Sequence, residues 1–313
     1  MNVLLFPGQG SQVVGMGSEF YNNFKEVKEI FSKANEKLNF DISKIILSGP
    51  ADQLQLTENT QPAILTVSYS IFHVLKNEFN FDTNSIRYFA GHSLGEYSAL
   101  VCSKSLDFQD AVYLLNERGK AMQDAVPVGD GSMIAILGLD ADEIKKIIDS
   151  LKVVDGVCEI ANDNANGQII VSGDKKKVNF LQEQLKKKKI KSIPLKVSAP
   201  FHCSLMKPAA EKMRMKIDMT NFKDPDNNII CNVNAKVETK SEIIKKLLVD
   251  QIFSTVRWRE SLINMSSIGI KNFIEIGPGK VLTGMVKRTI KGANCFSINS
   301  ITDIKNLINE LKK

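Results

Sequence analysis

The pentapeptide Gly91-His92-Ser93-Leu94-Gly95 sets a serine between two glycines. An apolar stretch over residues 86–90 reads as a strand and leads into it. A helical pattern, Glu96-Tyr97-Ser98-Ala99-Leu100-Val101, leads away from it. Strand, Gly-x-Ser-x-Gly and helix are the context of a nucleophile elbow. Glycine permits a turn tight enough to lift the hydroxyl clear of the chain. The serine then stands at a helix start, where unpaired N–H groups and the helix dipole favour developing negative charge. Ser93 is the candidate covalent nucleophile, and the N–H of Leu94 is one candidate donor to an oxyanion.

A serine needs a base, and the chain holds three histidines. His73 sits in Ile71-Phe72-His73-Val74-Leu75, within a long helical pattern, and reads as structural. His92 flanks the nucleophile and takes a supporting role, although a sharp turn can aim it elsewhere. His202 follows Ser198-Ala199-Pro200-Phe201, where proline stiffens the approach. Elimination makes His202 the candidate general base, with a satisfied loop histidine as the alternative. No Asp or Glu stands out as the group that orients it, but a backbone carbonyl also accepts from imidazole Nδ1–H.

A second oxyanion donor is expected from the glycine-rich loop Pro7-Gly8-Gln9-Gly10-Ser11-Gln12. Its Gly8-x-Gly10 spacing lacks the third glycine of a dinucleotide fingerprint, because Val13 holds that place. Arg118, in Asn116-Glu117-Arg118-Gly119-Lys120, is either a surface arginine or a two-pronged fork for a carboxylate. Gly277-Pro278-Gly279-Lys280 lacks Walker spacing and reads as a strand-to-helix turn.

Several elements must position these groups. Residues 2–6 read as a buried strand, 19–35 as a helix, and 61–78 as a long helix capped by Thr57 or Asn59. Asp107 opens a helix that runs to about residue 123. Such alternation of strand and helix implies a parallel sheet covered by helices. The pattern then changes. Strands at 132–137, 159–162, 168–172 and 191–197, with helices at 141–150 and 174–188, give the order βαββαβ of a ferredoxin-like unit. Strands at 228–233 and 272–276 resume the first pattern. The expected architecture is α/β: a large α/β-hydrolase-like domain from 1–126 and 198–313, with an inserted ferredoxin-like domain at 127–197.

The chain has 313 residues, 43% of them hydrophobic and 24% charged, as an ordinary globular protein does. No apolar run is long enough to span a bilayer, and the start reads as core rather than as a signal peptide. Five scattered cysteines without a CxxC pair argue against a disulfide framework or a zinc site. These features imply a cytoplasmic protein. The net charge of +6 suits a polyanionic ligand or an acidic partner. Its densest cluster, Lys186, Lys187, Lys188 and Lys189, is either a solvated helix end or part of a docking face. It lacks the interleaved aromatics of a nucleic-acid site.

Taken together the chain resembles the malonyl-CoA:acyl-carrier-protein transacylases of type II fatty-acid synthesis over nearly its whole length. The likeness rests on Phe6-Pro7-Gly8-Gln9-Gly10-Ser11-Gln12, Gln61-Pro62-Ala63, Gly91-His92-Ser93-Leu94-Gly95-Glu96 and Arg118-Gly119-Lys120-Ala121-Met122. Ala199-Pro200-Phe201-His202, Val256-Arg257-Trp258 and Glu275-Ile276-Gly277-Pro278-Gly279 extend it. The resemblance implies that Ser93 becomes malonylated and that His202 serves as base and then acid. It implies that Gln9 and Leu94 give the oxyanion N–H groups and that Arg118 pairs with the malonyl carboxylate. His92 and Phe201 become further substrate-binding positions, and Gln251 the residue whose backbone carbonyl orients His202. Phe201 and Leu94 go with malonyl rather than methylmalonyl in related domains. The resemblance implies no cofactor and no metal. The implied partners are malonyl-CoA and an acidic acyl carrier protein, without nucleic acid or membrane, and the implied state is a monomer. A freestanding polyketide-type malonyl acyltransferase, a serine hydrolase or thioesterase, and a noncatalytic carrier-binding subunit are the competing readings.

Overall fold

The computed structural model describes residues 1–151 and 153–311; positions 152, 312 and 313, which the expected domain ranges include, lie outside them. The chain forms β1 (Asn2–Phe6) and β2 (Tyr88–Gly91). It leaves for β3 (Gly131–Leu137), β4 (Cys158–Ala165), β5 (Gln168–Asp174) and β6 (Ser192–Pro194). It then returns for β7 (Asn228–Ile230), β8 (Val237–Glu238), β9 (Asn272–Ile276) and β10 (Asn294–Ile298). One sheet has the order β10-β9-β1-β2-β7-β8 and is parallel except for the β7–β8 edge. β1 is apolar at successive positions because both its faces are covered. Leu4 and Phe6 join one core cluster with Phe72 and Phe89, and Val3 and Leu5 join another with Trp258 and Phe273.

Strand order places the site. From β1 the sheet grows in both directions, through β2 and β7 on one side and β9 and β10 on the other. Loops at the carboxyl ends of such strands diverge and leave a crevice. Phe6 pairs with Gly91, so the loops after β1 and β2 leave the sheet side by side. His92 N–H donates to the Phe6 carbonyl at 3.0 Å and ties them together. The helix Gly95–Cys102 crosses so close above that a Cβ on Gly91 would run into the Gly95 carbonyl. A Cβ on Gly95 would run into the Phe6 carbonyl oxygen. Both elbow glycines are therefore required by close approach of backbone.

The second sheet has the order β4-β5-β3-β6, all antiparallel, and the helices Ala141–Asp149 and Lys175–Lys187 belong to the same stretch of chain. Side chains alternate across it. Ile134, Ile136, Ile169 and Val171 share a core with Ile144, Val178 and Leu181. Met133, Ala135 and Ile170 point the other way and join the large cluster. β4 is bolted to the rest of the chain: Asp163 N–H donates to the Val256 carbonyl at 3.0 Å, and Arg259 Nη2 meets Asp163 at 2.8 Å.

Several elements differ from the sequence expectation. The single helix expected at 19–35 is two, Ser18–Asn23 and Lys25–Leu38, because Phe24 is extended at φ −125 and ψ 125. That break lets the Phe20 and Phe24 rings stack at 6.3 Å. The long helix is Thr57–Asn77, and neither Thr57 nor Asn59 caps it; both lie inside it. Pro62 cannot donate to the Glu58 carbonyl, and the Asn116 amide takes that place at 2.9 Å. The strand expected at 191–197 is only β6, and that at 228–233 is only β7, which stops where Asn232 turns toward the elbow. Asp107 caps the helix Phe108–Asp124 as expected, accepting from the N–H of Gln109 and Asp110. Among the described residues no helix is long and apolar enough to cross a membrane.

Gly95→Ala is expected to cost about 3 kcal/mol or more in urea denaturation, from forced backbone movement. Gly284, inside the helix Val281–Thr289, has no atom within 4 Å of the place an added methyl would take. It gives the opposite sign: Gly284→Ala should stabilise by about 0.5–1 kcal/mol in the same measurement.

Candidate functional site

Ser93 sits in the left-handed region at φ 54, between β2 and the helix Gly95–Cys102. A non-glycine residue there is strained, and surrounding bonds must hold it. Asn232 does so from both sides: its Oδ1 accepts from Ser93 N–H at 2.7 Å, and its Nδ2 donates to the Gly91 carbonyl at 2.7 Å. The hydroxyl is thereby aimed away from the sheet.

His202 also lies in the left-handed region, at φ 57. Its Nε2 is 2.9 Å from Ser93 Oγ, and its Nδ1 is 2.7 Å from the Gln251 backbone carbonyl oxygen. A carbonyl only accepts, so Nδ1 carries the proton and Nε2 presents its lone pair to the serine. The orienting group is a carbonyl rather than a carboxylate.

Arg118 is not a surface arginine; it is 1% exposed. Its Nη2 donates to Ser93 Oγ at 3.1 Å and to Gln251 Oε1 at 2.9 Å, and its Nη1 donates to Gln61 Oε1 at 2.7 Å. Burial, and then the Arg118 charge, push His202 down to about 3. The imidazole is therefore neutral at neutral pH, as a proton acceptor must be. Burial pushes the Glu96 carboxyl, behind the elbow, up to about 7.

These groups open into a cavity of about 210 Å³. Gly8 and Gln9 line it after β1, His92 and Leu94 after β2, and Leu282 and Met285 after β9. Met133, Asn162, Asn164 and Ile170 of the second sheet face it, with Phe201 beside His202. Among the described residues no hydrogen bond occupies the N–H of Gln9 or of Leu94. His92 is half-buried in the wall, donating from Nε2 to Asn164 Oδ1 at 2.7 Å and meeting Trp258 edge-on at 5.5 Å. His73 is elsewhere, in a separate groove of about 560 Å³ with Asn77 Nδ2 beside its ring. The Gly277 to Lys280 segment joins β9 to the helix Val281–Thr289, as its composition suggests. Among the described residues no group of three or more His, Cys, Asp or Glu is placed to hold a metal.

The acyl transferase domain family matches this chain over residues 3–310. The chain belongs to the acyl transferase domain family. A malonyl CoA-acyl carrier protein transacylase of Bacillus subtilis is 43% identical over 310 residues, covering 99% of this chain and 96% of the relative. An acyl-carrier-protein-S-malonyltransferase from Bartonella henselae superposes with a TM-score of 0.96 at 39% identity, covering 100% of this chain and 99% of that one. A malonyl-transacylase solved in complex with a type II polyketide acyl-carrier protein superposes with a TM-score of 0.94 at 36% identity, covering 99% of each chain.

Within this acyl transferase site some members carried no sequence signal of a role. Asn232 lies 139 residues from Ser93, and only the adjacency of β7 to β2 brings it to the elbow. Gln61, which grips Arg118, and Asn164, which holds His92, likewise come from distant elements. Glu96 follows the elbow directly, and an acid on the first turn of an otherwise buried helix was the available signal.

Because His202 is held down to about 3 from an ordinary 6.5, the unfolded chain takes up a proton there before the folded protein does. That contribution to stability is complete above pH 6.5 and declines as pH falls toward 3. The expected slope is up to about 1.4 kcal/mol per pH unit. Urea denaturation of His202→Gln between pH 7 and pH 4 should show a correspondingly shallower decline than the wild type.

Proposed function

We infer that the protein transfers the malonyl group from malonyl-CoA to the phosphopantetheine thiol of acyl carrier protein, for fatty-acid synthesis. The observation that carries this is a guanidinium buried at hydrogen-bond distance from the nucleophile, Arg118 Nη2 to Ser93 Oγ at 3.1 Å. A hydrolase has no need of a buried cation there. An acyl chain that ends in a carboxylate does, because such a charge enters a buried site only when paired.

In the proposed mechanism Ser93 Oγ attacks the thioester carbonyl and its proton passes to His202 Nε2. Gln9 and Leu94 N–H groups hold the oxyanion. His202 returns the proton to the departing coenzyme A thiol as the acyl-serine ester forms. The carrier thiol then gives its proton to His202 and attacks that ester, and collapse of the second tetrahedral species returns the proton to Ser93. The Gln251 carbonyl keeps the imidazole in one tautomer throughout. Phe201 and His92 wall the acyl pocket. The malonyl carboxylate has a second effect. By pairing with Arg118 it offsets the positive charge that helps hold His202 down, so the correct substrate restores basicity to its own general base. An acetyl group has no charge with which to do so.

Near the cavity, Lys280, Lys287 and Arg288 are exposed on the segment whose Val281, Leu282 and Met285 line the wall. Lys186, Lys187, Lys188 and Lys189 are exposed at the end of the helix Lys175–Lys187. We assign these cations to approach of an acidic carrier protein. The five unpaired cysteines suit a reducing compartment, and the proposed setting is the cytoplasm, with the protein acting as a monomer.

Intact-protein mass after mixing with malonyl-CoA should show an adduct on the wild type and none on Ser93→Ala, discharged when holo carrier protein is added. An adduct that decays equally fast without carrier would point to a hydrolase. Arg118→Ala should lower malonylation by about 100-fold, the scale of losing one buried charged partner. Acetylation from acetyl-CoA should fall far less, and equal loss with both would remove Arg118 from substrate selection.

A further inference from the structure

Glu96 is a buried acid with no part in the steps above. It lies on the first turn of the helix Gly95–Cys102 and is 1% exposed. Its two oxygens are not equivalent. Oε2 accepts from Gln251 Nε2 at 2.8 Å and from Asn232 N–H at 3.1 Å. Among the described residues Oε1 accepts from no nitrogen or oxygen donor, and the Cys231 thiol lies beside the carboxyl.

The Gln251 side chain carries an NH₂ at one corner and an oxygen at the other. The NH₂ meets three acceptors, Glu96 Oε2 at 2.8 Å, the Ser93 carbonyl oxygen at 3.1 Å and Asn232 Oδ1 at 3.3 Å, and the bond to the carboxyl is the shortest. The oxygen is thereby turned toward Arg118, from which it accepts at 2.9 Å. With the amide reversed, the NH₂ would face the guanidinium, donor against donor, and the oxygen would face the carboxyl. Gln61 holds only the other guanidinium nitrogen, Nη1. The atom that reaches Ser93, Nη2, depends on Gln251.

We propose that Glu96 is a positioning residue for malonyl selection: its Oε2 fixes which way the Gln251 amide faces, and so aims the Arg118 guanidinium beside Ser93. The proposal rests on the malonyl-transfer reading of the site. It also explains the lopsided bonding. The function needs one acceptor oxygen at the position of Oε2 and no charge. With burial holding the carboxyl near 7, a proton can occupy Oε1 and leave both bonds intact. A glutamine can supply the same acceptor.

The test is the ratio of Ser93 acylation rates with malonyl-CoA and acetyl-CoA, read by intact-protein mass on the full chain. Glu96→Gln should keep the wild-type ratio within about threefold. Glu96→Leu, which removes the acceptor, should lower the ratio by about 10-fold or more, the scale of a lost charge-assisted hydrogen bond. Glu96→Asp withdraws the acceptor by one methylene while keeping a carboxyl, and should also lower the ratio. It stands in if the leucine variant does not fold. An unchanged ratio in the Leu or Asp variant, or both rates falling together, would overturn the proposal. So would a Gln variant as unselective as the Leu variant, since charge rather than orientation would then be at work. Failure of the malonyl-transfer reading is separate: the wild type itself would take no malonyl group, and the proposal would fall with it.

Discussion

The site depends on one backbone crossing. The chain leaves β2, reverses at Ser93 with φ 54, and runs back over the strand as a helix. The approach is too close for any side-chain carbon at Gly91 or Gly95. Asn232, on both sides of the turn, holds the strained conformation in place. Once that crossing is made, the hydroxyl points into the crevice where the sheet's strand order diverges. The remaining groups need only converge on it: His202 from the far side of the insertion, Arg118 from the helix Phe108–Asp124, and Gln9 from the loop after β1.

Around the hydroxyl the protein arranges an uneven burial of charge. Among the described residues one cation has hydrogen bonds only to amide and hydroxyl oxygens, with the Tyr97 ring 5.9 Å away; His202 Nε2 lies 2.9 Å from that hydroxyl, and one carboxyl sits a single side chain further back. A buried cation without a matching anion beside it is a standing cost. Under the proposed function, that cost is what an incoming carboxylate relieves. On that reading selectivity and basicity are set by the same group.

Sequence order carried the elbow, the histidine and the βαββαβ stretch well, because each is a local pattern. Ser93 stands in a strand–turn–helix context, and β3 and β5 each carry a short run of successive apolar residues. What was illegible was long-range or a matter of burial. Arg118 looks the same in sequence whether it is exposed or buried. Asn232 acquires its role only when β7 pairs with β2. The broken helix at Phe24 and the long helix that already begins at Thr57 reflect ring packing and a side-chain repair of Pro62, both tertiary effects that override local propensity.

The strand order has a consequence for how the molecule is assembled. β1 lies between β2 and β9, with Asn2 in register with Asn272. On a ribosome, β1 is made long before β9 and has no neighbour on that side until residue 272 has been added. The four strands of the second sheet, which pair with one another and reach Val256 through a bridge at Asn162, can settle in the interval. A hydrophobic edge therefore waits until β9 is made, as slow, long-range parallel pairing requires. The protein's exposure to misassembly is concentrated in that wait.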